Sequence, residues 1–364
     1  LKKRIVCTVT NDLNYDQRMI RIGTSLVKGG YDVLLVGRKK KGSPALEKKV
    51  FSQKRLNCWS QKGKWFYIEY NIRLFLYLLF VRADCFTAID LDTILPNLWA
   101  SRLRRKKRVY DAHELFCEME EIISRPTIYK LWKGIERRAV PKYPNGYTIG
   151  DCYQNEFKKL YGHDYEIVRN ATVLDKKNEP IQNKKKHIFY QGAVNEGRCF
   201  ETLLPAMKKV NAPLIVCGNG NFMEQAKRMV SELELEDKVI FKGYIPPHEL
   251  KKFTKEAYVG LTLFQETGKS NYYSMANRFF DYMHFCVPQI TVDFPEYRRV
   301  NEEFEISVLV KDTQVDTLAN AMNQILSNEE YRLRLETNCY KARQKYNWQN
   351  EEKKLLNFYK KLFG

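Results

Sequence analysis

The chain has 364 residues, with 62 Lys+Arg against 43 Asp+Glu and a net charge of +19. Its 44% apolar content is enough for real cores, about two domains' worth, and excludes wholesale disorder. Nine scattered cysteines with no CxxC pair, and five histidines at no metal-ligand spacing, exclude a disulfide framework and a zinc site. They fit reduced thiols in a cytosolic protein.

Residues 4–10 (RIVCTVT) read as a buried strand, with no secretory signal ahead of it, as expected of a cytoplasmic protein. Residues 16–28 form an amphipathic helix that Gly29-Gly30 stops, and residues 31–36 a second strand. The run 72–81 is apolar apart from Arg73 and follows Trp65, Phe66, Tyr67 and Tyr70. It is far short of the ~20 residues of a spanning helix. It fits a helix buried against a sheet, or one docked on a membrane surface.

Short strands follow at 85–90, 108–111, 146–150 and 166–169, separated by helical segments. That alternation is the βαβ rhythm of a doubly wound parallel sheet. Residues 174–186 (LDKKNEPIQNKKK), polar and containing Pro180, read as a linker. Behind it the rhythm restarts, with a strand at 187–191, a helix at 200–210, a strand at 213–217 and a helix reaching 233. Strands at 239–241 and 258–263, a helix at 275–285, and strands at 289–292 and 307–310 come next. Helices at 317–326, 329–346 and 350–362 close the chain, and no short repeat period appears. The expected organisation is a first domain at 1–172, a second at 187–345, and a final helix at 346–364 that packs back on the first. Two such sheets would face a deep cleft lined by their strand ends.

Charge is unevenly placed. Residues 1–180 hold 35 Lys+Arg and 20 Asp+Glu, a surplus of +15, and the remainder only +4. A basic front half points to an anionic partner: nucleic acid, acidic lipid or a phosphorylated substrate. Its densest run is Arg102, Arg104, Arg105, Lys106, Lys107 and Arg108, which a solvated helix end would also explain. The run lacks interleaved aromatics and no reader motif accompanies it, so nucleic acid is not the expected partner.

Only strand ends reach a ligand in such sheets. After the first strand, Asn11 to Arg18 (NDLNYDQR) offers Asp12, Asp16 and Arg18 but lacks the GxGxxG of a nicotinamide or flavin enzyme. Helix capping by Asn14 or Asp16 explains part of it. Asp111-Ala-His113-Glu114 places a histidine between carboxylates, able to donate a hydrogen bond or charge to a substrate. Asp90-Leu-Asp92-Thr93 ends a neighbouring strand. The turn Gly192 to Arg198 (GAVNEGR) delivers one guanidinium whose fork matches diphosphate oxygens. Gly218 and Gly220 permit close backbone approach to a ligand.

The most informative stretch is 269–288, KSNYYSMANRFFDYMHFCVP. A polar, aromatic loop runs into a helix whose apolar positions, Met275, Phe279, Tyr282 and Met283, recur at helical spacing. Ser274 or Asn277 could cap it, and its first amides would face an anion. One turn on, Asp281 offers a carboxylate to both hydroxyls of a ribose. A capped core helix with an incidental Asp would explain the same residues.

Taken in order, Asp16-Gln-Arg18, Asp111-Ala-His-Glu114, Gly192 to Arg198, Gly218-Asn-Gly220, Val239-Ile-Phe-Lys-Gly243, Asn277-Arg-Phe-Phe-Asp-Tyr282 and Tyr346-Asn-Trp348 carry a resemblance. Across essentially the whole chain they resemble a retaining nucleotide-sugar glycosyltransferase of the GT-B architecture, family 4. The resemblance implies an α/β fold of two Rossmann-like domains, with a UDP- or GDP-linked sugar on the second domain and a lipid-linked or saccharide acceptor on the first. It implies no metal or other cofactor, a setting in surface polysaccharide biosynthesis, and peripheral contact with anionic lipid at the inner face of the cytoplasmic membrane.

The family's acidic motif has two glutamates eight positions apart. Asp281 matches the later, ribose-holding one with a shorter carboxylate, and Tyr273 stands at the earlier. Ser270, Asn271, Tyr272, Tyr273 and Ser274 would then face the diphosphate and sugar. Arg198 matches one member of the family's basic pair, Ala193 stands at the other, and Arg278 beside Asn277 would supply the missing charge. Cys199 replaces a customary glycine. His113 resembles a first-domain histidine near the reacting centre, with Asp16, Arg18, Asp111 and Glu114 on the acceptor side. Arg198, Arg278 and helix amides would stabilise the departing diphosphate, which would take the proton of the attacking hydroxyl. A sugar-nucleotide epimerase of the same architecture, or a catalytically weak nucleotide-sugar-binding module, are the alternatives.

Overall fold

The strands pair only in parallel, in two separate sheets. The computed structural model describes residues 2–14, 16–177, 181 and 184–364, so Pro180 of the expected linker lies outside the described residues. The chain divides into unit 1, Leu1–Asn170 with Glu351–Gly364, and unit 2, Ala171–Asn350.

In unit 1 the sheet comprises β1 (Arg4–Thr8), β2 (Asp32–Lys39), β3 (Ser52–Asn57), β4 (Cys85–Ile89), β5 (Lys107–Ala112), β6 (Gly146–Thr148) and β7 (Glu166–Ile167), in the order β3-β2-β1-β4-β5-β6-β7. Helices α1 (Gln17–Lys28), α2 (Gly63–Phe80), α3 (Ile94–Leu103), α4 (Glu120–Ile123), α5 (Pro126–Ala139) and α6 (Asp151–Tyr161) connect them. The inner strands β1 and β4 are buried nearly end to end, as strands covered on both faces must be. Strand β3, SQKRLN, was not expected. It is a polar edge strand, and only its register against Leu34 to Lys39 of β2 makes it one.

Asp16 caps α1, its Oδ1 accepting the Met19 amide at 3.0 Å. Two residues on, Arg18 turns inward. Its Nε and Nη2 donate to Asp111 at 3.3 and 2.7 Å, and its Nη1 to the Val168 carbonyl at 3.2 Å. Both side chains are buried, so this forked ion pair ties α1 to β5 and to the residue after β7. Helix α2 lays Phe66, Tyr70, Leu74 and Leu78 against Val6, Leu34, Val36 and Phe86 of the sheet. From Glu351 onward the last helix packs on the same unit, where the Tyr359 hydroxyl hydrogen-bonds Thr87 Oγ1 at 3.0 Å.

Unit 2 repeats the plan with β8 (Ile188–Gln191), β9 (Leu214–Cys217), β10 (Val239–Gly243), β11 (Val259–Thr262), β12 (Gln289–Val292) and β13 (Ser307–Val310), in the order β10-β9-β8-β11-β12-β13. Its helices are α7 (Phe200–Ala206), α8 (Met223–Glu232), α9 (Pro247–Glu256), α10 (Gly268–Tyr272), α11 (Asn277–His284), α12 (Pro295–Phe304), α13 (Val315–Ser327) and α14 (Glu329–Lys345). The last helix, α15, spans Trp348–Phe363. Helices α9 and α12 were not expected, although each has proline in its first turn, where the missing N–H is harmless.

The expected cap of the 275–285 helix is corrected. The helix starts at Asn277, its N-cap is Ala276, and no side chain caps it. The Ala276 amide goes to the Tyr297 hydroxyl at 3.0 Å, and Ser274 Oγ donates to the Asn271 carbonyl at 3.2 Å. Glycine at 260 lets α11 lie against β11, since a Cβ there would meet the Tyr282 ring at 2.7 Å.

Both sheets change direction once, between β1 and β4 and between β8 and β11. Open α/β sheets bind ligands at the strand ends of such switch points.

Removing Arg18 would strand the Asp111 carboxylate in the core. Arg18→Ala is expected to cost about 3–5 kcal/mol in urea unfolding, and Arg18→Ala combined with Asp111→Leu to recover much of it. A loss below about 1 kcal/mol for the single change would mean that the pair does not hold α1 to the sheet.

Candidate functional site

At the unit 2 switch point, β8 ends in Gln191 and Gly192, and β11 runs out into Leu263 and Phe264. Arg278, the second residue of α11, spans the gap between them. Its Nη1 donates to the Gln191 carbonyl at 3.1 Å and its Nη2 to that of Leu263 at 3.3 Å. Gly192 makes room for it, because a Cβ there would lie 2.9 Å from Nη1 and its φ is +125°. The guanidinium sits over the rings of Tyr190 and Phe264, at 4.6 and 4.7 Å.

Arg198 reaches the same Phe264 ring from the turn after β8, at 4.3 Å. That turn is tied down by the Gln265 amide, which donates to the Gly197 carbonyl at 2.9 Å. Arg198 Nη1 and Arg278 Nε are buried with no hydrogen-bond partner. Among the described residues, no carboxylate forms an ion pair with either arginine. Burial, and after it the charge of Arg278, pulls the Arg198 guanidinium below its usual range, yet such a group stays protonated. Two cations without ion-pair partners thus share one aromatic ring, an arrangement that favours an anion.

Asp281 lies one turn along α11 from Arg278. Its carboxylate accepts from Thr172 Oγ1 at 2.6 Å and Gln191 Nε2 at 2.9 Å, and Gln191 Oε1 in turn accepts from Thr254 Oγ1 at 2.6 Å. The carboxylate is therefore fixed beside the end of β8. Gly218 and Gly220 have a reason inside the chain, since a Cβ at either would collide with the turn after β8, at the Gly192 and Val194 carbonyls. Cys199, buried at the N-cap of α7, holds a left-handed φ of +62° that a glycine would adopt freely.

In the loop ahead of α11, Ser270 is buried, and Asn271 Nδ2 donates to Thr267 Oγ1 at 3.2 Å. The Tyr272 ring packs on Phe294 at 4.9 Å and on Tyr273 at 5.4 Å. Asn277 opens α11 beside Arg278. A cavity of about 600 Å³ adjoins this loop at the ends of β11, β12 and β13, with Phe264, Glu266, Tyr272, Arg298 and Lys311 in its wall. Phe264, Gln191 and Thr172 were not singled out from the sequence. The first two stand at strand ends, which was the available signal, whereas Thr172 precedes the linker and had none.

The unit 1 switch point is built differently. Asp90, at a left-handed φ of +53°, accepts the amides of His113 and Glu114 on Oδ1 at 3.2 and 3.1 Å. Its Oδ2 lies 3.1 Å from His113 Nε2. Thr10 Oγ1, beyond β1, donates to Asp92 Oδ2 at 2.5 Å. Burial, with the Arg18 charge second, depresses His113 to about 3, so the ring is neutral and its buried Nδ1 has no partner. Burial raises Asp90, lifts Asp92 to about 6, and lifts Glu114, with help from Asp92, to about 7.

Of the residues expected on the acceptor side, His113 and Glu114 stand together at this edge. Asp16 caps α1 with Oδ1, and Arg18 and Asp111 pair in the core, while the charges of both Asp16 and Arg18 reach His113. Among the described residues, no three His, Cys, Asp or Glu are grouped so as to hold a metal ion.

Residues 173–342 match the family model described as glycosyl transferases group 1. An uncharacterized glycosyltransferase of Methanocaldococcus jannaschii is 24% identical over 185 residues, which is 50% of this chain and 46% of that protein. The chain thus spans about half the length of the curated relative it matches. Among solved structures, sucrose-phosphate synthase of Thermosynechococcus elongatus superposes with a TM-score of 0.80 at 17% identity, covering 100% of this chain and 99% of that one. HepE of Anabaena in complex with UDP-glucose gives 0.78 at 11% identity, covering 98% and 99%. WaaG, a glycosyltransferase involved in lipopolysaccharide biosynthesis, gives 0.73 at 13%, covering 97% and 98%. These likenesses establish the fold: two Rossmann-like, parallel-sheet domains of the GT-B class.

The unit 1 carboxylates carry a pH signature. Asp92 and Glu114 titrate above their ordinary values of 3.8 and 4.5. Between those values and about pH 7 the folded chain binds more protons than the unfolded one, so their contribution to stability falls as pH rises. His113, depressed from 6.5, works in the opposite sense, and its contribution is lost on acidification. The expected result is that Asp92→Asn with Glu114→Gln raises the Tm more at about pH 8 than at about pH 5 relative to wild type. A difference that does not vary with pH would assign these carboxyls ordinary titration.

Proposed function

We propose that the protein is a group 1 glycosyltransferase that takes a sugar from a nucleoside diphosphate, UDP- or GDP-linked, and transfers it with retention to a lipid-linked or saccharide acceptor. Unit 2 binds the donor, and the strand ends of unit 1 meet the acceptor. The observation that carries the reading is the pair of guanidiniums at the switch point, Arg278 buried and Arg198 half-buried, each with a buried nitrogen that has no hydrogen-bond partner. The group 1 match over the unit that holds them supports it, as does the solved HepE complex with UDP-glucose.

In the reaction, the bond from the anomeric carbon to the β-phosphate oxygen breaks, and the electron pair leaves with the diphosphate. Arg198 and Arg278 stabilise the charge as it grows, from positions that need no rearrangement. The acceptor hydroxyl oxygen bonds the same carbon from the face the leaving group vacates, and its proton passes to the departing phosphate. No side chain serves as nucleophile, and the guanidiniums carry the neutralising charge without a metal. Asp281, fixed by Thr172 and Gln191, is the carboxylate for the ribose hydroxyls. Neutral His113 offers hydrogen bonds to a hydroxyl-rich acceptor, and Glu114, its carboxyl raised by burial, can accept or donate there. The setting is surface polysaccharide biosynthesis on the cytoplasmic side of a membrane, with the protein in peripheral contact with it.

UDP or GDP is expected to raise the Tm, and Arg198→Ala to weaken diphosphate binding about 10–100-fold while leaving uridine or guanosine binding unchanged. Released nucleoside diphosphate scores turnover, and the product's anomeric configuration by NMR scores retention. Unchanged UDP and GDP affinity in Arg198→Ala, or no response to either nucleotide, would remove the anion site from the reading.

A further inference from the structure

Helix α2 is apolar on two opposite faces, and the sheet uses only one. Phe66, Tyr70, Leu74 and Leu78 are buried beneath it. On the other side Trp65, Ile68, Ile72, Leu76 and Phe80 recur every three or four residues and are exposed, from 49% at Ile68 to 85% at Phe80. At the helical rise of ~1.5 Å per residue this line runs for roughly 22 Å. Helix α3 widens it, with Trp99 against Phe75 at 6.0 Å and Leu103 exposed beside it. Trp59, 89% exposed, stands before the helix under the Arg73 guanidinium. An apolar area this continuous is not ordinary monomer surface.

Its ends are basic. Lys62 and Lys64 flank the N-terminal tryptophans, and Arg82 follows Phe80. Arg104 donates to the Leu78 and Val81 carbonyls, which brings Arg102 and Arg105 to the C-terminal end of α2. Among the described residues, none of Lys62, Lys64, Arg82, Arg102 and Arg105 is in an ion pair. The acid within the patch, Glu69, is turned to the Trp59 and Ser60 amides and to Arg73.

We propose that the outer face of α2, with Trp99 and Leu103 of α3, docks on an anionic lipid surface, the apolar line entering the headgroup boundary and the basic ends meeting lipid phosphates. This deepens the peripheral placement proposed above by assigning the surface, and it requires no transfer activity. Charge decides the occupant. A second copy seated on the same face by a two-fold axis would set unpaired Lys and Arg against each other at both ends, with no acid between them. Nucleic acid would use the cations but leave the tryptophans and isoleucines without a partner. Anionic lipid satisfies both. The helix lies on the boundary, since no described helix is long and apolar enough to cross a membrane.

The test is co-sedimentation of the whole chain with phosphatidylcholine vesicles, with and without phosphatidylglycerol, together with tryptophan quenching by lipids brominated near the headgroup. Expected are binding that needs phosphatidylglycerol and weakens with salt, quenching of wild-type tryptophan fluorescence, and about a ten-fold or greater loss of binding in Ile72→Glu/Leu76→Glu. Because both side chains are exposed, that variant should keep the wild-type circular dichroism and the UDP-induced Tm shift, which separates this surface from the nucleotide site. Wild-type binding in the variant, no quenching in the wild-type protein, or a dimer in solution that the variant dissolves without any vesicle binding would each overturn the proposal.

Discussion

A guanidinium held across the two strands where a parallel sheet reverses is the constraint from which the unit 2 site follows. Arg278 can take that place only because two side chains are missing. Glycine at 260 lets α11 approach the sheet, and glycine at 192 opens the space that Nη1 fills. Its planar fork matches two carbonyls that belong to different strands, which a lysine ammonium could not bridge in the same way. Tyr190 and Phe264 cover its faces, so the charge is anchored without being neutralised. Arg198 then shares the Phe264 ring, and among the described residues no carboxylate pairs with either arginine.

Unit 1 has the same strand order at its switch point and the opposite electrostatics. There the charges are cancelled inside. Arg18 and Asp111 saturate each other, burial keeps His113 neutral, and burial raises the nearby carboxyls toward neutral pH. One fold, used twice, thus presents two arginines without ion-pair partners in one unit and a cluster of burial-shifted carboxyls around a neutral histidine in the other. The difference lies in which strand-end residues find internal partners, not in the topology.

The two faces of α2 make a related point. A helix buries a face when a sheet is available to take it, and α2 has such a sheet on one side only. Its second apolar face is exposed, and among the described residues the arginines and lysines at its ends are in no ion pair. Part of the surplus of +15 in the first 180 residues, Lys62, Lys64, Arg82, Arg102 and Arg105, thus stands at the ends of an apolar line.

Much of this was legible in the chain. Buried strands such as RIVCT and CFTAI announce themselves by short, mostly apolar, β-branched runs, and Asp16 and Gly29-Gly30 mark the ends of α1. Other elements were not. The polar strand SQKRLN exists only through its register with β2, and α11 begins two residues later than expected because Ala276 is extended, its amide bound by the Tyr297 hydroxyl. At the sites the same division holds. Arg198, Arg278 and Asp281 were readable as a charge pattern, whereas Phe264 beneath both arginines, and Thr172 and Gln191 on Asp281, were not. The sequence by itself determined which segments are strands and helices and which strand ends bear charge, because local periodicity and residue chemistry suffice for that. Tertiary structure alone decided which of those charges are cancelled and which stay open, because neutralisation depends on partners tens to hundreds of residues away. Arg18 meets Asp111 and disappears into the core, while Arg278 meets only carbonyls and rings and keeps its charge.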